Sequence, residues 1–156
     1  THFLKPKYYT TQSLNRRKKH SMMNHFLLFE TILYVKNQQE SAVFYTKLFR
    51  QEPALNVPGM TEFILAPNCK LGLMPNYGIA KILSDKTPHP NLGNGIPRCE
   101  LYYYAENIEL EFDNAINAGA HLISPIIDRD WGDRACYFSD PDGHIIAFAQ
   151  KITNKG

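Results

Sequence analysis

Three stretches carry residues able to do chemistry. The first is 139–150, SDPDGHIIAFAQ, where Asp140 and Asp142 stand two apart. Alternating aspartates can hold a hard cation, but an EF-hand loop also needs further oxygen donors and a closing glutamate. The run after Gly143 is apolar and supplies neither. Asp, Pro and Gly at the first, second and fourth places suit a type I turn, so DPDG reads as a hairpin turn. The second stretch is a pair, Glu30 in LFETILYV and Glu100 in RCELYYY, two carboxylates 70 residues apart. The third is RDWGDR, where Trp131 could stack on a ligand or staple a loop to the core, with Arg134 close by. Gly-rich phosphate loops, GxSxG and Cys–His nucleophile arrangements are missing, and the six histidines show no ligand spacing.

The elements that must position these residues repeat. LFETILYV alternates as a strand does, and Asn37 then caps a helix to about Phe49, with Glu40 as its capping-box partner. Ala42, Tyr45, Leu48 and Phe49 form its buried stripe. Short strands are expected at 61–66 and 70–74, then a Pro-, Gly- and Asn-rich linker at 84–97. The pattern restarts with a strand at 98–104 and a helix capped by Asn107 and closed by Gly119. Strands follow at 121–127, 134–139 and 144–150. The halves superpose at one offset of 70, Glu30 on Glu100 and Asn37 on Asn107. One such βαβββ unit leaves a sheet face uncovered, so two units are expected to pair.

Composition bounds the class. The chain has 156 residues, enough for one domain with a real core. No apolar run approaches a membrane span and no secretory signal opens the sequence, so neither membrane nor export is expected. Three cysteines without CxxC spacing suit free thiols in a reducing cytoplasm. Residues 1–22 hold six Lys and Arg and no acidic residue, while the whole chain carries only +2. That segment reads as a disordered, solvated extension rather than a nucleic-acid arm. The rest, 23–156, reads as a single domain, with module one at about 26–83 and module two at about 98–150.

The first strand, the helix carrying FYTKLF, the linker, and WGDRACYFSDPDGHIIAFAQ together resemble the glyoxalase/bleomycin-resistance/dioxygenase superfamily, the vicinal oxygen chelate proteins. The resemblance covers about residues 26–150. It implies an α+β fold of two paired βαβββ modules forming a U-shaped cleft. In metal-using members, one position on the first and one on the last strand of each module hold a divalent ion. Carried over, those positions are Glu30, Gly72, Glu100 and Ala147. Glu30 and Glu100 are the implied catalytic and metal residues, but Gly72 and Ala147 offer no side-chain donor. The implied cofactor is therefore a weakly bound Mg, Mn, Ni or Zn ion, or none.

Strand alternation puts Tyr34, Met74, Tyr102 and Tyr104 in the same cleft, with Trp131 and Arg134 at its edge, as candidate substrate-binding residues. Two glutamates in one cavity repel, and need a cation, an arginine such as Arg98 or Arg134, or a cationic ligand. Two functions are expected from different classes. One is an enzyme of the lyase or dioxygenase kind with an incomplete metal shell. The other is a non-catalytic protein that sequesters a drug or toxin, as bleomycin-resistance members do. The expected partners are a small molecule and a second copy in a homodimer. Whether Glu30 meets Glu100 of its own chain or of the other copy stays open.

Overall fold

The structure, a computed structural model, describes residues 25–153. The basic segment 1–22 lies outside the described residues. Module one runs β1 (Phe29–Val35), α1 (Gln38–Phe49), β2 (Leu55–Val57), β3 (Met60–Ala66), β4 (Cys69–Pro75) and α2 (Asn76–Leu83). Two short 3-10 turns at 84–86 and 90–93 lie in the linker. Module two runs β5 (Glu100–Tyr104), α3 (Ile108–Ala118), β6 (His121–Asp128), β7 (Asp133–Ser139) and β8 (Ile145–Lys151).

Two four-stranded sheets result, ordered β1-β4-β3-β2 and β5-β8-β7-β6. In each, the first strand is parallel to the last and the other pairs are antiparallel. The offset-70 repeat is thus structural, and the α+β architecture of two βαβββ modules is the one expected. Register sharpens the correspondence. Two residues after Glu30, Ile32 pairs with Gly72, and two residues after Glu100, Tyr102 pairs with Ala147. Gly72 and Ala147 are therefore equivalent positions.

Local signals explain the helices. Asn37 and Asn107 each accept a hydrogen bond from the backbone N–H three residues on, at 3.1 and 3.0 Å. Gly119 ends α3 in the left-handed region at φ 92°. Two elements escape a pattern reading. β2 has three exposed residues and so shows no alternation of burial. In α2, Pro75 and Gly78 look like breakers, yet Pro75 precedes the helix, where it does not interrupt the hydrogen-bond ladder.

One core serves both modules. Leu33, Val35, Phe63, Leu71 and Leu73 of the first sheet join Cys136, Phe138, Ile146 and Phe148 of the second around Tyr45, Leu48, Ile108 and Ala115 of the helices. α1 packs on α3, Asn114 Nδ2 donates to Leu48 O at 2.7 Å, and Arg50 pairs with Glu111 at 2.6 Å. Because side chains alternate along a strand, the opposite face of each sheet points away from this core. Glu30 and Glu100 lie on those outward faces.

Candidate ligand-binding site

The outward face of the second sheet carries a connected cluster. Tyr102 and Tyr104 on β5 stand beside Ala147 and Ala149 on β8. Both phenols reach across β8, and each donates to Asp133 Oδ2 on β7 at 2.9 Å. Only small side chains fit beneath them, and Ala147 and Ala149 are both 0% exposed. Lys151 Nζ lies 2.8 Å from Asp133 Oδ1, a charge contact rather than an aligned hydrogen bond, and 5.0 Å from the Tyr104 ring centre. Trp131 Nε1 donates to the Tyr102 hydroxyl at 3.1 Å. Asp133 is covered by these partners rather than set in the deep core. Lys151 foremost, then the two hydroxyls, hold its carboxyl below the ordinary carboxylate value, and Lys151 is pushed up to about 12.

Beside the cluster, Tyr137 pairs with Ala147 across β7 and β8. Burial, and then the Glu100 charge, raise its phenol above the usual range. The Arg129 guanidinium lies 5.2 Å from the Tyr137 ring centre and donates to Ser124 Oγ at 2.8 Å and Ala135 O at 3.1 Å.

The first sheet treats its glutamate differently. With no side chain at Gly72, Glu30 folds over β4, so a Cβ built at Gly72 would stand 2.8 Å from Glu30 Oε1. There Glu30 meets Glu62 of β3, whose carboxylate is held by Lys70 at 3.2 Å. Burial and then the Glu62 charge raise the Glu30 carboxyl above its ordinary value, against the pull of Lys70. Two ionised carboxylates cannot donate to each other, and Glu30 Oε1 is buried with no donor. Ile32, Tyr34, Leu55, Val57 and Ile64 leave the same face partly apolar and exposed.

The expected residues therefore fall into two groups. Glu30, Tyr34 and Met74 share the first outward face, and Glu100, Tyr102, Tyr104 and Trp131 the second. Arg134 joins neither. It lies on the helix side of β7, bonded to Asp128 at 2.7 Å and 3.9 Å from Glu109. The positive charge near Glu30 is Lys70, reached through Glu62, and not an arginine. Asp133, Lys151, Glu62 and Lys70 were not singled out by the sequence. Alternation within TEFILA puts Glu62 on the outward face, but Asp133 stands one residue before the strand expected at 134–139. A groove of about 510 Å³ between α1 and α3, lined by Lys47, Arg50, Asn114 and other residues, includes none of the candidates.

The donor set does not fit a divalent ion. Glu30 fills the space a ligand at position 72 would use, and position 147 lies beneath two phenols. Among the described residues, no three His, Cys, Asp or Glu side chains converge to hold an ion. Hard ions want six or more oxygens, and transition ions want imidazole or thiolate.

Known proteins share this architecture. A solved glyoxalase-related enzyme from Fulvimarina pelagi superposes with TM-score 0.68 at 19% identity, covering 83% of this chain and 94% of that one. A glyoxalase/bleomycin resistance protein/dioxygenase from Nocardioides gives TM-score 0.65 at 19% identity, covering 94% and 96%. These likenesses establish the fold. In sequence, an uncharacterized protein of Mycobacterium tuberculosis is 25% identical over 123 residues, 77% of this chain and 72% of its own. Residues 28–153 match the model of the glyoxalase-like domain family. The chain belongs to the glyoxalase-like domain family.

Proposed function

We propose that this chain is a metal-independent, small-molecule-binding member of its family, of the sequestering kind, with Tyr102, Tyr104 and Trp131 as the binding surface. The observation that carries the reading is the burial of Ala147 under two phenols anchored on Asp133. A metal-using member needs an open donor at that position. Here an aromatic floor occupies it, suited to a flat organic molecule. A reducing cytoplasm suits the free Cys69, Cys99 and Cys136. Among the described residues, no helix is long and apolar enough to cross a membrane.

The partner that completes the site is a second copy. Each chain turns both outward faces away from its own core, and the proposed pairing sets the first face of one copy against the second face of another. Five large apolar side chains on the first face gain from being covered.

A second reading, a metal-dependent lyase or dioxygenase, is favoured by one observation. Glu30 Oε1 is buried without a donor, as an oxygen facing a cation would be. Metal analysis and titration with Mg²⁺, Mn²⁺, Ni²⁺ and Zn²⁺ separate the two. The proposal expects no stoichiometric binding. One bound equivalent that disappears in Glu30→Ala supports the enzyme and ends the metal-independent reading.

A further inference from the structure

The Asp133 cluster has a polarity. Tyr102 and Tyr104 each have one hydroxyl proton, and both protons point at Asp133 Oδ2. Trp131 has one N–H, and it points at the Tyr102 oxygen. Lys151 is drawn to Asp133 Oδ1 and lies over the Tyr104 ring. Every donor of the three aromatic side chains is thus turned inward. What they offer outward is π-faces, each negative at its centre, and the unused lone pairs of two phenol oxygens. Such a surface cannot donate to an incoming carboxylate or sulfonate through its rings. It can accept N–H bonds and stack on an electron-poor ring.

Building on the proposed small-molecule function, we infer that Asp133 is a positioning residue that leaves Tyr102, Tyr104 and Trp131 only acceptors to offer, and that the ligand is a planar aromatic cation bearing N–H donors, seated away from the exposed Lys151 ammonium. Asp133 acts through Tyr102 and Tyr104 and need not touch the ligand. Lys151 stands as the resident cation on Tyr104, which leaves the Tyr102 and Trp131 rings for the ligand.

The chain has one tryptophan, so its fluorescence reports this face directly. The test titrates the full chain with proflavine, a planar cation with amine donors, and with 9-anthracenecarboxylate, a planar anion of similar size. Saturable quenching is expected with at least about tenfold tighter binding of the cation, one well-made charge-assisted contact being enough for that ratio. In Asp133→Ala both phenol protons lose their shared acceptor and are released outward, and the ratio should fall toward one. Tyr102→Phe, which leaves Asp133 in place, frees the indole N–H and should lower the same ratio if the first variant fails to fold. Equal or tighter binding of the anion by the unaltered chain overturns this inference alone, as does a ratio unchanged in both variants. If neither probe binds, the small-molecule reading falls as well, and this inference with it.

Discussion

Asp133 holds two phenols and an ammonium, and its ionisation should control them together. Its folded pKa lies below the ordinary value of 3.8, with the Lys151 contact as the main cause. A depressed carboxylate stabilises the fold above its unfolded pKa, and that contribution is lost as pH falls through the lower folded value. Lys151 has the opposite sign. Raised to about 12, it contributes below its ordinary 10.5 and loses its contribution as pH rises through about 12. The cluster is therefore expected to hold from mildly acid to moderately alkaline solution. Trp131 emission should stay constant there and change in acid with a midpoint below 3.8. The change should be missing from Asp133→Asn. A wild-type midpoint above the ordinary carboxylate value would mean that the contacts around Asp133 do not act as described. The sequence revealed the aromatic half of this cluster because tyrosines alternate visibly along a strand. It hid the acidic centre because Asp133 sits after a glycine turn, where an aspartate looks like turn chemistry.

The DPDG stretch shows how an element can do more than its local signature says. Gly143 N–H donates to Asp140 O at 3.0 Å, so the hairpin turn is there as read. Its side chains then tie the modules together. Asp140 Oδ1 accepts from Asp142 N and His144 N, and Oδ2 accepts from the fully buried Tyr45 hydroxyl at 2.7 Å. Asp142 accepts from Lys36 N at 2.7 Å and from Ser41 Oγ at 3.2 Å, and His144 Nε2 meets Tyr34 O at 2.9 Å. The acidic residues are clasp groups between β1, α1 and the β7–β8 turn. Such long-range contacts leave no mark in local spacing, although the turn itself does. Tyr45→Phe leaves Asp140 buried without its hydroxyl donor and should lower stability by about 1.5–3 kcal/mol. Gly143→Ala should be at least as damaging. Gly143 has φ 86°, and an added Cβ would sit 2.8 Å from Gly95 O, a backbone atom of the linker. The left-handed conformation alone costs an L-residue about 1–2 kcal/mol. Urea denaturation of both variants checks this, and unchanged midpoints in both would mean that the clasp contributes nothing to stability.

At the scale of the whole molecule, the repeat at offset 70 carried most of what the sequence could say. It fixed two βαβββ modules and the equivalence of Glu30 with Glu100, whereas Gly72 and Ala147 came from the family resemblance and stand 75 apart, matched by strand register rather than by the repeat. It could not say how the modules face each other, because that depends on which helix surfaces pack, and α1 against α3 is a tertiary choice without sequence periodicity. In the proposed dimer, each cleft is built from the first face of one copy and the second face of another. This arrangement makes a complementation prediction. Tyr34→Ala damages only the first face, and Trp131→Ala only the second. Each variant alone should bind proflavine weakly, as read from the fluorescence anisotropy of the dye. After unfolding together and refolding at equal concentrations, half of the dimers are mixed. Each mixed dimer has one cleft built from two undamaged faces, so about one quarter of the full binding capacity should return. Sedimentation should show dimers in every sample. If each chain instead formed its own cleft, every cleft in the mixture would carry a lesion and no capacity would return.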